Sequence, residues 1–379
     1  MPPVLVTGVT GFIGREVARR LLAAGRPVLA MARARDGQSA ADRVAEAVGR
    51  NPDGRRLIVV EADLALPGCG LGESERRGLR DTVETVIHCA GDTAFFPEVM
   101  AAFRAGHIDG PLDLLRGLGS GRLRRWTHLS TAYVCGRRSG VVFEREADVG
   151  QRFHNPYERV KLESEAAIRQ GGDRMGVGVR VLRPSIVVGA APETAGGHPS
   201  NLFSSFIRMV AGLARLSNGS GVPLRIAAAP QTRFNIVPVE YVAAATVALT
   251  EHHEERGETF HIVVSDAPTQ EQMLAMIAER LSVRGLSLVD PRLSEFPNPS
   301  PLERMVARML SGYREYLEQD VRFDDSTARR VLDRCGVPRP TLSRDAVHRL
   351  IDQALAVSTF SIPPNGLDTP FALHPLTLS

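Results

Sequence analysis

The chain has 379 residues, 43% of them apolar and 23% charged, the balance of a soluble globular protein with one large or two interlocked domains. A formal net charge of only +3, with acidic residues interspersed among the arginines, argues against a nucleic-acid partner. No apolar run approaches the roughly 20 residues that span a bilayer, and no signal peptide precedes the first strand; four scattered cysteines without a C-x-x-C pair read as reduced thiols of the cytoplasm.

Val4, Leu5 and Val6 predict a short buried strand almost at the N-terminus. Gly8, Gly11 and Gly14 follow at spacings of three. From Phe12 the apolar period turns helical through Ile13, Val17, Leu21 and Leu22, and stops at Gly25. A strand, a glycine turn and a helix N-terminus together make a seat for a pyrophosphate. Gly8 permits the tight turn, Gly11 lets backbone N–H groups approach the phosphates, and Gly14 allows close helix–sheet packing. Thr10, Phe12 and Ile13 belong to the same cofactor-binding run.

Strand and helix signals then alternate. Residues 27–32, 56–61, 82–88, 125–130 and 177–182 predict strands; residues 40–48, 111–118 and 156–170 predict helices. Such alternation implies an α/β chain with a Rossmann-type doubly wound parallel sheet, whose ligands sit beyond the carboxyl ends of the strands. Residues 190–201 read as a loop rich in Gly and Pro, and 202–216 as an amphipathic helix. Strand character returns at 234–239 and 260–264 around a helix at 241–251, so a later segment completes the first domain. The expected division is a dinucleotide-binding domain at 1–188 completed by 234–266, and a smaller, mainly helical substrate domain at 189–233 and 267–356. A tail follows at 357–379.

Beyond the second strand a dinucleotide enzyme meets the ribose with an acid or a 2′-phosphate with a base. Arg33 and Arg35 precede the first acid, Asp36, which favours NADP(H); solvated loop arginines are the alternative. Asp63, at the third strand's exit, suits the adenine amino group or simply caps a turn. Tyr157 and Lys161 stand four apart at the start of a helix, so phenol and ammonium share a face, and the cation is expected to lower the phenol's pKa. Thr131, at the fifth strand's end, offers a hydroxyl to the same carbonyl oxygen; Tyr133 reads as a pocket wall.

The glycine run, Ser130-Thr131 and Tyr157…Lys161 together resemble the extended short-chain dehydrogenase/reductases over roughly residues 3–265. Finer blocks resemble their thioester reductase and fatty acyl-CoA reductase branch: H-C-A-G-D-T-A-F at 88–95, S-T-A-Y-V at 130–134, N-P-Y at 155–157, K-L-E-S-E at 161–165, L-R-P-S-I-V-V-G at 182–189 and N-I-V-P-V-E-Y-V at 235–242. This resemblance implies NADP(H) held by the glycine run, Arg33, Asp63, Leu64, Cys89, Ala90, Gly91, Tyr157 and Lys161, with Pro184, Ser185, Ile186 and Val187 along the nicotinamide. It implies catalysis by Thr131, Tyr157 and Lys161 on an acyl thioester of CoA or of a carrier protein supplied in trans, giving an aldehyde or, by a second reduction, an alcohol. No metal is implied, and the oligomeric state stays open. A ketone reductase, a sugar-nucleotide epimerase and a non-catalytic NADP sensor are the competing readings.

Two departures from the family pattern and three side features stand beside these motifs. Val160 stands where many relatives carry Ser, and residues 322–327 resemble the ending of fatty acyl-CoA reductases only faintly. The apolar stripe Leu302, Met305, Val306, Met309, Leu310, Tyr313, Tyr316 and Leu317 reads as a core face, with an acyl-chain lid, a dimer seam or a membrane-surface contact as alternatives. His252-His253-Glu254 reads as a solvated helix end. Arg122, Arg124, Arg125, Arg137 and Arg138 read as solvated surface or as a patch for an acidic carrier.

Overall fold

A computed structural model describes residues 1–49, 56–189, 202–216, 221–252, 258–293 and 296–356. Its centre is a sheet of β1 (Val4–Thr7), β2 (Val28–Ala32), β3 (Leu57–Glu61), β4 (Thr85–His88), β5 (Arg125–Leu129), β6 (Gly178–Pro184) and β7 (Thr259–Ile262). The spatial order is β7-β6-β5-β4-β1-β2-β3, with every neighbouring pair parallel. This is the expected Rossmann-type doubly wound arrangement. Strand order reverses at β1 and β4, so the glycine turn lies at the switch point where such sheets bind ligands.

Alternation along the strands divides the core between two faces. Val4 and Val6 join one buried cluster, with Val17 and Leu21 of the Phe12–Ala23 helix and Val242 and Leu249 of the Val239–Glu251 helix. Leu5, Val86 and Trp126 join the other, with Leu79, Leu114, Leu118 and Ile168. These come from the Glu73–Thr82, Gly110–Gly119 and Pro156–Met175 helices. The Glu73–Thr82 helix escapes the periodicity argument because it buries a single side chain, Leu79.

The later chain is less helical than expected. Ile236–Pro238 forms a strand but pairs with Ile186–Val188, outside the seven-stranded sheet. Within residues 269–356, Leu286–Val289 pairs with Leu224–Ala227, and Val321–Phe323 pairs with Gly140–Val142. The loop expected at 190–201 and the tail at 357–379 lie outside the described residues. The apolar stripe divides: Val306, Leu310 and Leu317 are buried in one core, with Leu302, Met305 and Met309 packed against it. Tyr313 and Tyr316 turn elsewhere, because the helix ends at Met309 and a 3-10 turn follows at Ser311–Tyr313.

Two buried carboxylates lock these parts together. Glu144, 3% exposed, accepts N–H bonds from His261 in β7 (3.0 Å) and from Thr327 (2.7 Å) and Ala328 (3.0 Å) at the start of the Ser326–Arg334 helix. Glu165 takes a bidentate bond from Arg183 of β6, at 3.0 and 2.6 Å. Charged forks of this kind are the strong class of hydrogen bond, and removing one partner of a buried pair costs about 3–5 kcal/mol. The pair fixes the Pro156–Met175 helix against the sheet.

A layer of buried histidines runs beside this helix. His88 and His128 are cross-strand partners of β4 and β5, stacked at 5.2 Å, and His107 is buried nearby. Burial, reinforced by the Lys161 charge, holds His88 and His128 well below the usual range and His107 at about 3. Each unfolded imidazole therefore takes up a proton below pH ~6.5 that the native state refuses. Stability from this layer is complete above that pH and is lost as pH falls from ~6.5 towards 3, at up to ~1.4 kcal/mol per pH unit for each histidine. Urea midpoints measured between pH 7 and 5 should fall accordingly, and a His128→Gln variant should show a shallower slope.

Candidate active site

The glycine turn is set by close backbone approach. Gly8 has φ +67°, and the Gly11 N–H donates to its carbonyl at 2.9 Å. A Cβ on Gly8 would stand 2.6 Å from the nitrogen of Ala90, and one on Gly14 would stand 2.2 Å from the Gly8 oxygen. Thr7 ties the β4 exit to this turn: its carbonyl accepts from Cys89 N at 3.3 Å and its Oγ1 from Ala90 N at 3.2 Å. Gly8, Gly11, Gly14, Cys89 and Ala90 are thus brought to one place. Gly91 packs beside the His107 ring, and burial pushes the Cys89 thiol up to about 12. The Phe12–Ala23 helix has no side-chain cap and no acid in its first turn, so its N-terminal N–H groups and positive dipole end suit an anion. Thr10, Phe12 and Ile13 surround that end.

At the exits of β2 and β3, half-exposed Arg33 pairs with Asp63 at 3.1 Å. Asp63 also caps its own turn, accepting from Ala65 N at 2.9 Å through Oδ1. The Leu64 carbonyl lies where a Cβ on Gly110 would be 2.0 Å away, so Leu64 is held by the helix that starts there. Asp36 and Gly37, at φ +53° and +76°, form a two-residue turn closed by mutual Arg35–Gln38 backbone bonds. Arg43, which sequence reasoning missed, donates to the Arg33 carbonyl at 2.6 Å and to Thr10 Oγ1 at 3.4 Å. Burial first, then Arg35 and Arg33, lowers its pKa. Three arginines therefore gather beside the glycine turn; only the spacing from Arg33 to a helix start could have hinted at the third.

Asn155 caps the Pro156–Met175 helix, accepting from Glu158 N at 3.1 Å, and Pro156 opens it, which puts Tyr157 in the first turn. Lys161 follows one turn later, 4% exposed, and donates from Nζ to the Leu129 carbonyl at 2.6 Å. Burial lowers its pKa to about 8, against opposing pulls from Glu165 and Cys89. Thr131 stands two residues beyond Leu129, buried, with Oγ1 accepting from Tyr133 N at 3.2 Å. Tyr133 is buried edge-on to Tyr316 and Phe323, and Val160 is fully buried.

The expected lowering of the Tyr157 phenol is not found. Burial raises its pKa, and Glu158 and Asp92 add to the rise. Removal of water from around the phenolate is the largest cause, so Tyr157 is firmly protonated. Its ring lies 6.1 Å from those of Phe95 and His107. His107 sits in a π-helical segment, Ala105–Asp109, and its Nε2 meets the Asp92 carbonyl at 2.8 Å.

At the β6 exit, Pro184 ends the strand, Ser185 N donates to the Ile262 carbonyl at 3.2 Å, and Ile186 and Val187 pair with Ile236 and Val237. The buried hydroxyls of Ser185 and Ser130 have no hydrogen-bond partner among the described residues. Ser130 was not among the expected site residues. Orphaned polar groups at the strand exits, a tight glycine turn and a buried ammonium fit a bound dinucleotide.

The remaining candidates lie away from the glycine turn and Lys161. Arg122 pairs with Glu84, Arg137 with Glu315 and Arg138 with Glu146. His252 caps the Val239–Glu251 helix, while His253 and Glu254 lie outside the described residues. No helix among the described residues is long and apolar enough to cross a membrane.

Comparison with known proteins agrees with this fold. The family model described as male sterility protein, an NAD-binding domain, matches residues 6–246, and the chain belongs to that family, within the extended short-chain dehydrogenase/reductases. It is 32% identical over 206 residues to peramine synthetase A of Epichloe festucae, covering 50% of this chain and 7% of that protein. It is 26% identical over 290 residues to human fatty acyl-CoA reductase 1, covering 65% of this chain and 53% of that protein. The chain thus spans about half of the reductase and a small part of the synthetase. Among solved structures, the terminal R domain of the myxalamid biosynthetic pathway superposes with a TM-score of 0.75 at 20% identity, covering 94% of this chain and 91% of that one; at this identity the likeness shows the fold.

The turn gives a direct test. Gly14→Ala places a methyl 2.2 Å from the Gly8 carbonyl and should weaken dinucleotide binding more than tenfold by fluorescence titration, with a lower Tm. Gly117→Ala, which meets nothing within 4 Å in a helix, should keep binding and gain up to ~1 kcal/mol of stability.

Proposed function

We propose that the protein is an NADPH-dependent reductase of acyl thioesters, carried on CoA or on a carrier protein, that forms an aldehyde and, by a second reduction at the same site, an alcohol. The observation that supports this most is the joining of two parts of the site. Lys161 is anchored on the carbonyl of Leu129, at the exit from which Thr131 projects, and Tyr157 stands one turn earlier on the same helix. The family relationship supports the same reading.

In this reading Gly8, Thr10, Gly11, Phe12, Ile13 and Gly14 hold the pyrophosphate against the helix N-terminus. Arg33 and Arg43 meet the 2′-phosphate, and Asp63 and Leu64 flank the adenine. Cys89, Ala90, Gly91 and the Pro184–Val187 stretch form the walls further in. The Lys161 ammonium holds the ribose hydroxyls. When bound, the reduced nicotinamide supplies a hydride to the thioester carbonyl carbon. Thr131 Oγ1 and Tyr157 Oη donate hydrogen bonds to the carbonyl oxygen, where negative charge develops. Tyr157 then delivers its proton to that oxygen, and the Lys161 ammonium, one turn along the same helix, stabilises the phenolate left behind. The hemithioacetal so formed loses its C–S bond, releasing an aldehyde and a thiol that keeps the proton.

Purified protein incubated with NADPH and a panel of acyl thioesters should oxidise cofactor and yield aldehyde or alcohol by mass spectrometry. Tyr157→Phe should cut kcat by about 10²–10⁴-fold while NADPH affinity is retained. Turnover of a free ketone or sugar nucleotide, with none of any thioester, overturns the reading.

The arginine cluster carries the cofactor preference. Arg33→Ser and Arg43→Ala should each lower kcat/KM for NADPH by about tenfold, the scale of one charge-assisted hydrogen bond, and leave that for NADH unchanged. Equal losses with both cofactors would remove the arginines from this role.

A further inference from the structure

Tyr157 is covered by side chains that the reaction itself does not use. The segment after β4 carries Phe95, whose ring lies 6.1 Å from Tyr157, 4.9 Å from Tyr313 and 5.6 Å from Tyr316. The last two come from the distant 311–318 segment. Tyr316 is fixed: its hydroxyl donates to Glu158 Oε1 at 2.5 Å and accepts from Asn155 Nδ2 at 2.7 Å, and Tyr133 packs edge-on beneath it at 4.8 Å. Glu158 is fully buried and Asn155 caps the helix, so Tyr316 is fastened to the two residues that flank Tyr157 and its proline.

Phe95 and Tyr313 are held differently. Both are half-buried. Phe95 rides on irregular chain tethered at Asp92, whose carboxylate accepts from Ala94 N at 3.0 Å and whose carbonyl meets His107 at 2.8 Å. Gly312 brings its backbone to Phe95, since a Cβ there would lie 3.7 Å from the ring. Outward of Phe95 the same segment exposes Phe96 at 69% and Val99 at 52%. Two half-buried rings, one from each half of the chain, thus stand together beside the phenol, next to the exposed apolar side chains of the same segment. The acidic groups bearing on Tyr157 are Asp92 and Glu158, which repel an anion.

We infer that Phe95 and Tyr313 are specificity-determining residues: they form the wall of the acyl subsite, admit an uncharged acyl arm, and limit its bulk beside the carbonyl. This rests on the thioester reading above. An apolar pocket distinguishes arms by about tenfold or more for each methylene that its wall excludes or contacts.

The test uses butanoyl, benzoyl and succinyl pantetheine, whose thiol arm is common to CoA and carrier proteins. The wild type should favour butanoyl over succinyl at least tenfold in kcat/KM. Phe95→Ala and Tyr313→Ala should raise the benzoyl-to-butanoyl ratio at least tenfold, with NADPH affinity within twofold of wild type. Tyr313→Phe, which keeps the ring, should leave the ratio in place. Phe95→Leu should fall between and serves if the alanine variant does not fold. A benzoyl-to-butanoyl ratio within twofold of wild type, or an equal loss on all three substrates, overturns the wall while the reductase reading stands. A wild type inert to every thioester overturns both.

Discussion

No side chain fits at Gly8 or Gly14, where the first strand leaves the sheet. The Gly8 carbonyl lies against Gly14, and Gly8 itself lies against the backbone of Ala90, at separations that a single methyl would close. This contact forces β1, the following helix and the β4 exit to converge. It leaves the uncapped N-terminus of that helix, with its backbone N–H groups and positive dipole end, beside the turn, an arrangement suited to an anion. Everything else in the site is arranged outward from that point: arginines at the β2 end, and the lysine, threonine and tyrosine at the β5 end.

The polar groups deeper in the protein serve the same arrangement at a cost in desolvation. Arg183 and Glu165 bury a charge pair so that the helix bearing Tyr157 and Lys161 cannot shift along the sheet. The neutral histidines around Lys161 give it polar surroundings without adding a competing charge. The ammonium is accordingly poised near pH 8, where a small change of surroundings alters its protonation. Burial, which poises the lysine, also keeps the nearby phenol protonated.

The central sheet was legible in the sequence because its strands are short apolar runs bounded by turns, and because the glycine spacing admits few structures. Tyr157 and Lys161 were legible by their spacing behind Asn155 and Pro156. Their electrostatics were not, since the balance between a cation four residues away and the removal of water depends on packing from Phe95 and His107. Arg43 was hidden among many arginines on a helix of ordinary appearance. Tyr313 and Tyr316 continued an apolar stripe so well that the break after Met309, which turns both rings towards Phe95, left no signal in the period.

The buried carboxylate of Glu144 has a consequence for how the chain is made. Of its three N–H partners, one lies in the last strand of the sheet and two belong to Thr327 and Ala328. A nascent chain that has already formed β1 to β6 still carries this acid without its ligands, and β6 still has an open edge. Closure waits for Thr327 and Ala328 to leave the ribosome, so the sheet-forming part of the chain matures only when this later segment arrives.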